Sequence, residues 1–60
     1  MRIPRVRERV RIDGRDEVFL VVWVDLAQCV ADLIPLADAG VLEESIPFAA
    51  IRPFQEESGD

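Results

Sequence analysis

The stretch EVFLVVWVD, residues 17–25, constrains the chain more than any other. Seven consecutive apolar residues, Val18 to Val24, lie between a turn signal and an acidic stop. Four are valines, and the rest are a leucine, a phenylalanine and the only tryptophan. β-Branched and aromatic side chains suit a pleated, buried surface, and a valine-rich run this short loses too much rotamer freedom to favour a helix. The run therefore reads as a central strand. Regular alternation puts Phe19, Val21 and Trp23 on one face and Val18, Leu20, Val22 and Val24 on the other. Both faces are apolar. The second is explained by a peptide groove, by a subunit interface, or by a strongly coiled strand that buries part of both.

Sixty residues make one domain at most. A chain of that length buries only ~60% of its extended surface, so it needs a staple or a partner. A single cysteine excludes an internal disulfide, and no cysteine or histidine cluster offers a structural metal or cofactor site. No apolar run approaches the ~20 residues of a membrane helix, and no secretory signal precedes the strand pattern. These features predict a cytoplasmic, bacterial protein with no membrane association.

The chain has no His, Lys, Tyr, Thr or Asn. Cys29, Ser45 and Ser58 are the only nucleophile candidates, and no histidine or lysine base could activate them. General acid–base chemistry would rest on carboxylates alone. The expectation is a protein that is not an enzyme, with no catalytic residues and no cofactor, unless an active site forms between subunits.

In chain order, residues 1–4 read as an N-terminal arm because Pro4 cannot donate to a ladder. RVRERVRI, residues 5–12, alternates strictly, with Val6, Val10 and Ile12 facing one way and Arg5, Arg7, Arg9 and Arg11 the other. Asp13-Gly14 then predicts a tight hairpin, so the first two strands pair antiparallel.

LAQCVADLIPLADAG, residues 26–40, carries a helical pattern with Asp25 as N-cap and Gly40 as C-terminal stop. Pro35 would then lie in the helix interior at a cost of ~3 kcal/mol. The preferred alternative has a turn at 25–27, a strand from Gln28 to Pro35 or Leu36, and a turn at 37–40. That strand puts Cys29, Ala31 and Leu33 on one face, with Gln28 and Asp32 on the other. VLEES, residues 41–45, predicts a fourth strand, IPFAAI at 46–51 one 3₁₀ turn, and IRPF at 51–54 a final stub. Residues 55–60 read as a disordered acidic tail.

Five short strands, a hairpin after VRI-DG, the long central strand and IPFAAIRP resemble the SH3-like small barrels, including Tudor domains, over residues 6–54. The expected fold is therefore all-β: a five-stranded SH3-like (Tudor-like) small barrel spanning residues 5–54. Within that group the chain end resembles the plasmid-borne, trimethoprim-resistant dihydrofolate reductases. They carry a Pro-x-Ala-Ala segment, matched here by Pro47, Phe48, Ala49 and Ala50. Their functional Val-Gln-Ile-Tyr motif is replaced by Glu43, Glu44, Ser45 and Ile46. The resemblance implies a barrel able to oligomerise, without the motif behind that activity.

Residues 1–11 carry a net charge of +4 in a chain whose total is −5. Alternate residues on a strand stand ~6.6 Å apart, close to the phosphate repeat of a single nucleic-acid strand. Arg5, Arg7, Arg9 and Arg11 are thus candidates for anion contact. The plainer reading pairs them with the acids of neighbouring strands. Cys29 reads as a small buried hydrophobe. Glu43 and Glu44 face opposite ways on a strand and, with Asp38, read as solvated surface. One tryptophan among three phenylalanines does not build a methyl-lysine cage.

The expected function is a non-catalytic binding or assembly module that self-associates through protein–protein contacts, with Phe19, Val21 and Trp23 as interface residues. The first alternative is a nucleic-acid-binding barrel using the arginine strand. The second is a reductase-like enzyme whose site forms only in an oligomer.

Overall fold

The computed structural model describes residues 2–37 and 41–54. Five strands form one antiparallel sheet: β1 (Arg9–Ile12), β2 (Phe19–Asp25), β3 (Val30–Pro35), β4 (Glu43–Pro47) and β5 (Ile51–Pro53). The spatial order is β4-β3-β2-β1-β5. Residues 26–35 thus hold a turn and a strand, and Pro35 ends β3 opposite Phe19, where its missing N–H costs the ladder least. The turn expected at 37–40 and the tail at 55–60 lie outside the described residues.

β4 and β5 occupy opposite edges of this sheet, yet only the 3₁₀ turn Phe48–Ala50 separates them in sequence. Laid flat, the edges of five strands would be ~19 Å apart. One 3₁₀ turn advances ~2 Å per residue and cannot cover that distance. The sheet is therefore coiled until its edges approach, although β4 and β5 are not paired. The turn fastens the gap at both ends. Phe48 N–H donates to the Cys29 carbonyl at 2.9 Å, and Asp13 N–H donates to the Ala50 carbonyl at 2.8 Å.

The inside of the coil is the core: Val10, Ile12, Phe19, Val21, Ala31, Leu33, Phe48 and Ile51. Val24 and Ile46 pack against it, half-buried. Removing each large side chain from water contributes ~1.5–3 kcal/mol. One end of the core is covered by Arg15, whose guanidinium carbon stands 5.3 Å from the centroid of the Phe19 ring. Arg15 also donates to Glu17 at 3.2 Å and to Glu43 at 3.4 Å. The hydrogen bond to Glu43 is the main cause of a raised Arg15 pKa; desolvation opposes it, and the charges of Glu43 and Glu17 reinforce it.

Two expectations are corrected here. The first strand begins at Arg9, not Arg5. Residues 5–8 instead make a turn: Glu8 N–H donates to the Arg5 carbonyl at 3.0 Å, with Arg7 at φ +78°. Arg7 N–H donates to the Val21 carbonyl, and Val21 N–H to the Glu8 carbonyl, so two residues oppose one in a bulge. Val6 is 52% exposed rather than aligned with Val10 and Ile12. Second, residues 13–18 between β1 and β2 are longer than a two-residue hairpin, although Gly14, at φ +81°, does sit in a turn closed by Arg15 N–H to the Ile12 carbonyl. Ahead of this turn Pro4 is buried, and Arg2 forms an ion pair with Glu8.

Candidate functional site

The sheet's outer face is where the structure and the sequence pattern part. Phe19 and Val21 are fully buried, whereas Trp23 is 62% exposed. The three do not share a face, because β2 contains a bulge. Val21 pairs with Leu33 and Trp23 with Asp32, so β2 advances two residues where β3 advances one. Val22 is the extra residue, and beyond it the parity inverts: Trp23 points out and Val24 turns in against the core. Phe19 and Val21 belong to the core and present no surface in the single chain. Of the three expected interface residues, only Trp23 is exposed.

Other residues join Trp23 on the outer face. Leu20 lies opposite Ile34, both half-buried. The ladder continues at Leu36, whose N–H donates to the Val18 carbonyl at 3.0 Å. Val22 and Leu36 are 39% and 47% exposed. The β2–β3 seam thus carries apolar residues along its outer side as well as its core side. The sequence shows Val18, Leu20 and Val22 on a second apolar face, but it gives no sign that Trp23 joins them. Ile34 and Leu36 were legible only as strand residues.

One flank of this seam is basic. Arg9 and Arg11 are exposed and alternate with buried Val10 and Ile12, so they lie on the outer face of β1. The expected row of four arginines is broken in two, with Arg5 and Arg7 in the turn. There, Arg2, Arg5, Val6, Arg7 and Glu8 line an open depression. Glu8 accepts from Arg2 and from the Arg5 backbone N–H, the latter at 3.0 Å. Burial pushes the Glu8 carboxyl up, but those two hydrogen bonds and the charges of Arg2 and Arg5 outweigh it, and its pKa is lowered. Arg11 reaches the Asp16 carbonyl at 3.5 Å, and Arg52 pairs with Asp13 at 2.8 Å.

The other flank is acidic. Asp32 lies between buried Ala31 and Leu33 and therefore faces outward. Its Oδ1 accepts from Ser45 N–H at 2.9 Å, replacing a ladder bond where β4 bulges and Ser45 takes φ +58°. Glu44 is exposed beside it, and Glu43 is held by Arg15. Asp38 lies outside the described residues.

Cys29 is not a buried hydrophobe. It is exposed at φ +57° in the turn between β2 and β3, which Asp25 organises by accepting from the N–H groups of Ala27 and Gln28 at 3.0 and 3.1 Å. Among the described residues, no group of three His, Cys, Asp or Glu side chains could hold a metal ion, and no helix is long and apolar enough to cross a membrane. No family model, curated protein or solved structure matches the chain.

Proposed function

We propose that the chain is a non-catalytic binding or assembly module of the SH3-like small-barrel kind, acting through protein–protein contacts on the outer face of the β2–β3 seam. The observation that carries this reading is Trp23, the chain's one tryptophan, at 62% exposure beside an apolar stripe. Exposed large apolar surface on a small domain favours a partner that covers it, and tryptophan is among the side chains most enriched where binding energy concentrates. The absence of His, Lys and Tyr supports a non-catalytic role. The exposed free thiol of Cys29 suits a reducing cytoplasm.

The free edges of the sheet are poor alternatives to its face. β4 carries a bulge at Ser45 and ends in Pro47; β5 has three residues and ends in Pro53. Bulges, prolines and short length all oppose the addition of another strand.

Because Trp23 is the sole tryptophan, its emission reports whether this face is covered. The emission shifts to the blue when a partner chain binds, whether a peptide recovered by panning a displayed library or a further copy. Binding is lost in Trp23→Arg and kept in Arg52→Ala. Water-exposed emission at millimolar concentration, together with a panning that recovers no Trp23-dependent peptide, overturns the reading.

A further inference from the structure

We propose that the occupant of this face is a second copy of the chain, stacked about a two-fold axis that runs along the β2–β3 seam. The inference rests on the protein–protein reading above and adds the partner and its orientation. It comes from the order of charge across the sheet. Exposed Arg9 and Arg11 lie on the β1 side of the seam, and Asp32 and Glu44 on the β3–β4 side.

Two copies of one face can be stacked about an axis along the seam or about an axis across it. The axis across the seam lays each β1 over the other copy's β1, so arginine meets arginine and acid meets acid. The axis along the seam exchanges left for right and keeps the level along the strands. It brings the arginine flank of each copy to the same side as the acidic flank of the other, with the apolar stripe enclosed where the two convex faces touch. A two-fold contact repeats every favourable pair, so the face is self-complementary in only one of the two arrangements.

The levels along the strands are close. Arg9 lies opposite Leu20, which lies opposite Ile34. Glu43 lies opposite Leu33, which brings Glu44 close to the level of Asp32. The offset between Arg9 and these acids is about two residues, or ~7 Å, which an arginine side chain spans. Arg9 also takes part in no ion pair among the described residues.

The test is sedimentation equilibrium on the full chain, on Arg9→Glu, on Glu44→Arg and on their equimolar mixture, with circular dichroism confirming that each variant folds. The unmodified chain is expected to be a dimer. Each reversal makes two like-charge contacts and weakens the dimer roughly tenfold. The mixture restores it, because in the mixed dimer the two reversed positions face each other with opposite charge, and the other contact keeps its original Arg9 and Glu44. Trp23→Arg abolishes it. A monomer at millimolar concentration overturns the proposal, yet leaves the broader reading standing if a Trp23-dependent peptide binds. A dimer that is lost in Trp23→Arg but indifferent to both reversals overturns the axis. A dimer indifferent to all three variants places the contact elsewhere and overturns both.

Discussion

Phe19 and Trp23 are four residues apart on the same strand, and regular alternation would give them the same surroundings. Phe19 is instead fully buried beneath the Arg15 guanidinium, and Trp23 is 62% exposed. A single extra residue, Val22, separates the two halves of β2 and reverses the facing of all that follows it. The first half serves the core, while the second presents its largest side chain to solvent. Residue type thus decides whether a side chain favours burial; the local count of residues per ladder rung decides which way it points.

Alanine substitution draws the contrast most sharply. Phe19→Ala leaves a cavity in a small core and is expected to cost ~3–5 kcal/mol, enough to unfold much of the population at room temperature. Trp23→Ala removes an outward side chain and should change the stability of the monomer by no more than about 0.5 kcal/mol. Urea titrations of both variants, at concentrations where any dimer dissociates, compare them directly. Equal losses would mean that Trp23 belongs to the core.

Deleting Val22 probes the bulge itself. The chain keeps its parity, with Val21 in, Trp23 out and Val24 in, so it should stay folded with a loss of about 1 kcal/mol. An unbulged strand would instead turn every residue after the deletion to the wrong face. Collapse of the near-ultraviolet spectrum, or a Trp23 emission that moves to the blue in the monomer, would contradict the assignment.

Glu8 gives a pH-dependent contrast between the turn and the sheet. Its carboxyl has a lowered pKa when folded, so it adds stability above the unfolded value near 4.5 and loses it as pH falls through the folded value. Glu8→Gln should therefore be less stable than the unmodified chain at neutral pH, by about 1 kcal/mol at most because the pair is partly solvated. The two should converge in acid. Thermal melts from pH 7 to pH 3 check this; a constant difference would assign the effect to packing rather than charge.

At Arg7 the expected effect is a modest gain rather than a loss. A non-glycine residue at φ +78° is strained, and Arg7→Gly relieves that strain while adding entropy to the unfolded chain. The balance is a gain of up to about 1 kcal/mol, read as a higher melting temperature. A fall would mean that the Arg7 side chain contributes more than its backbone conformation costs.

Periodicity and punctuation were enough to mark the all-β class, the element order and the 3₁₀ turn before the last strand. Those signals are local: valine and aromatic runs favour strands, Pro35 blocks a helix, and Pro47 starts a short turn. The core side of β1 was readable at Val10 and Ile12 for the same reason, since no irregularity intervenes between them. Bulges left no comparable trace. Arg7, Cys29 and Ser45 all adopt positive φ without being glycine or asparagine, so the usual sign of a left-handed residue is missing at all three. Only Glu8, the one charged residue in the row of Val6, Val10 and Ile12, hinted at the turn it closes. Residue pattern alone settled which segments are extended and which side chains favour burial. The assembled sheet decided where the ladder slips by one residue, because that depends on how five strands must coil for a 3₁₀ turn to join their outer edges. That slip put Trp23 outside and set arginines and acids on opposite sides of one apolar seam.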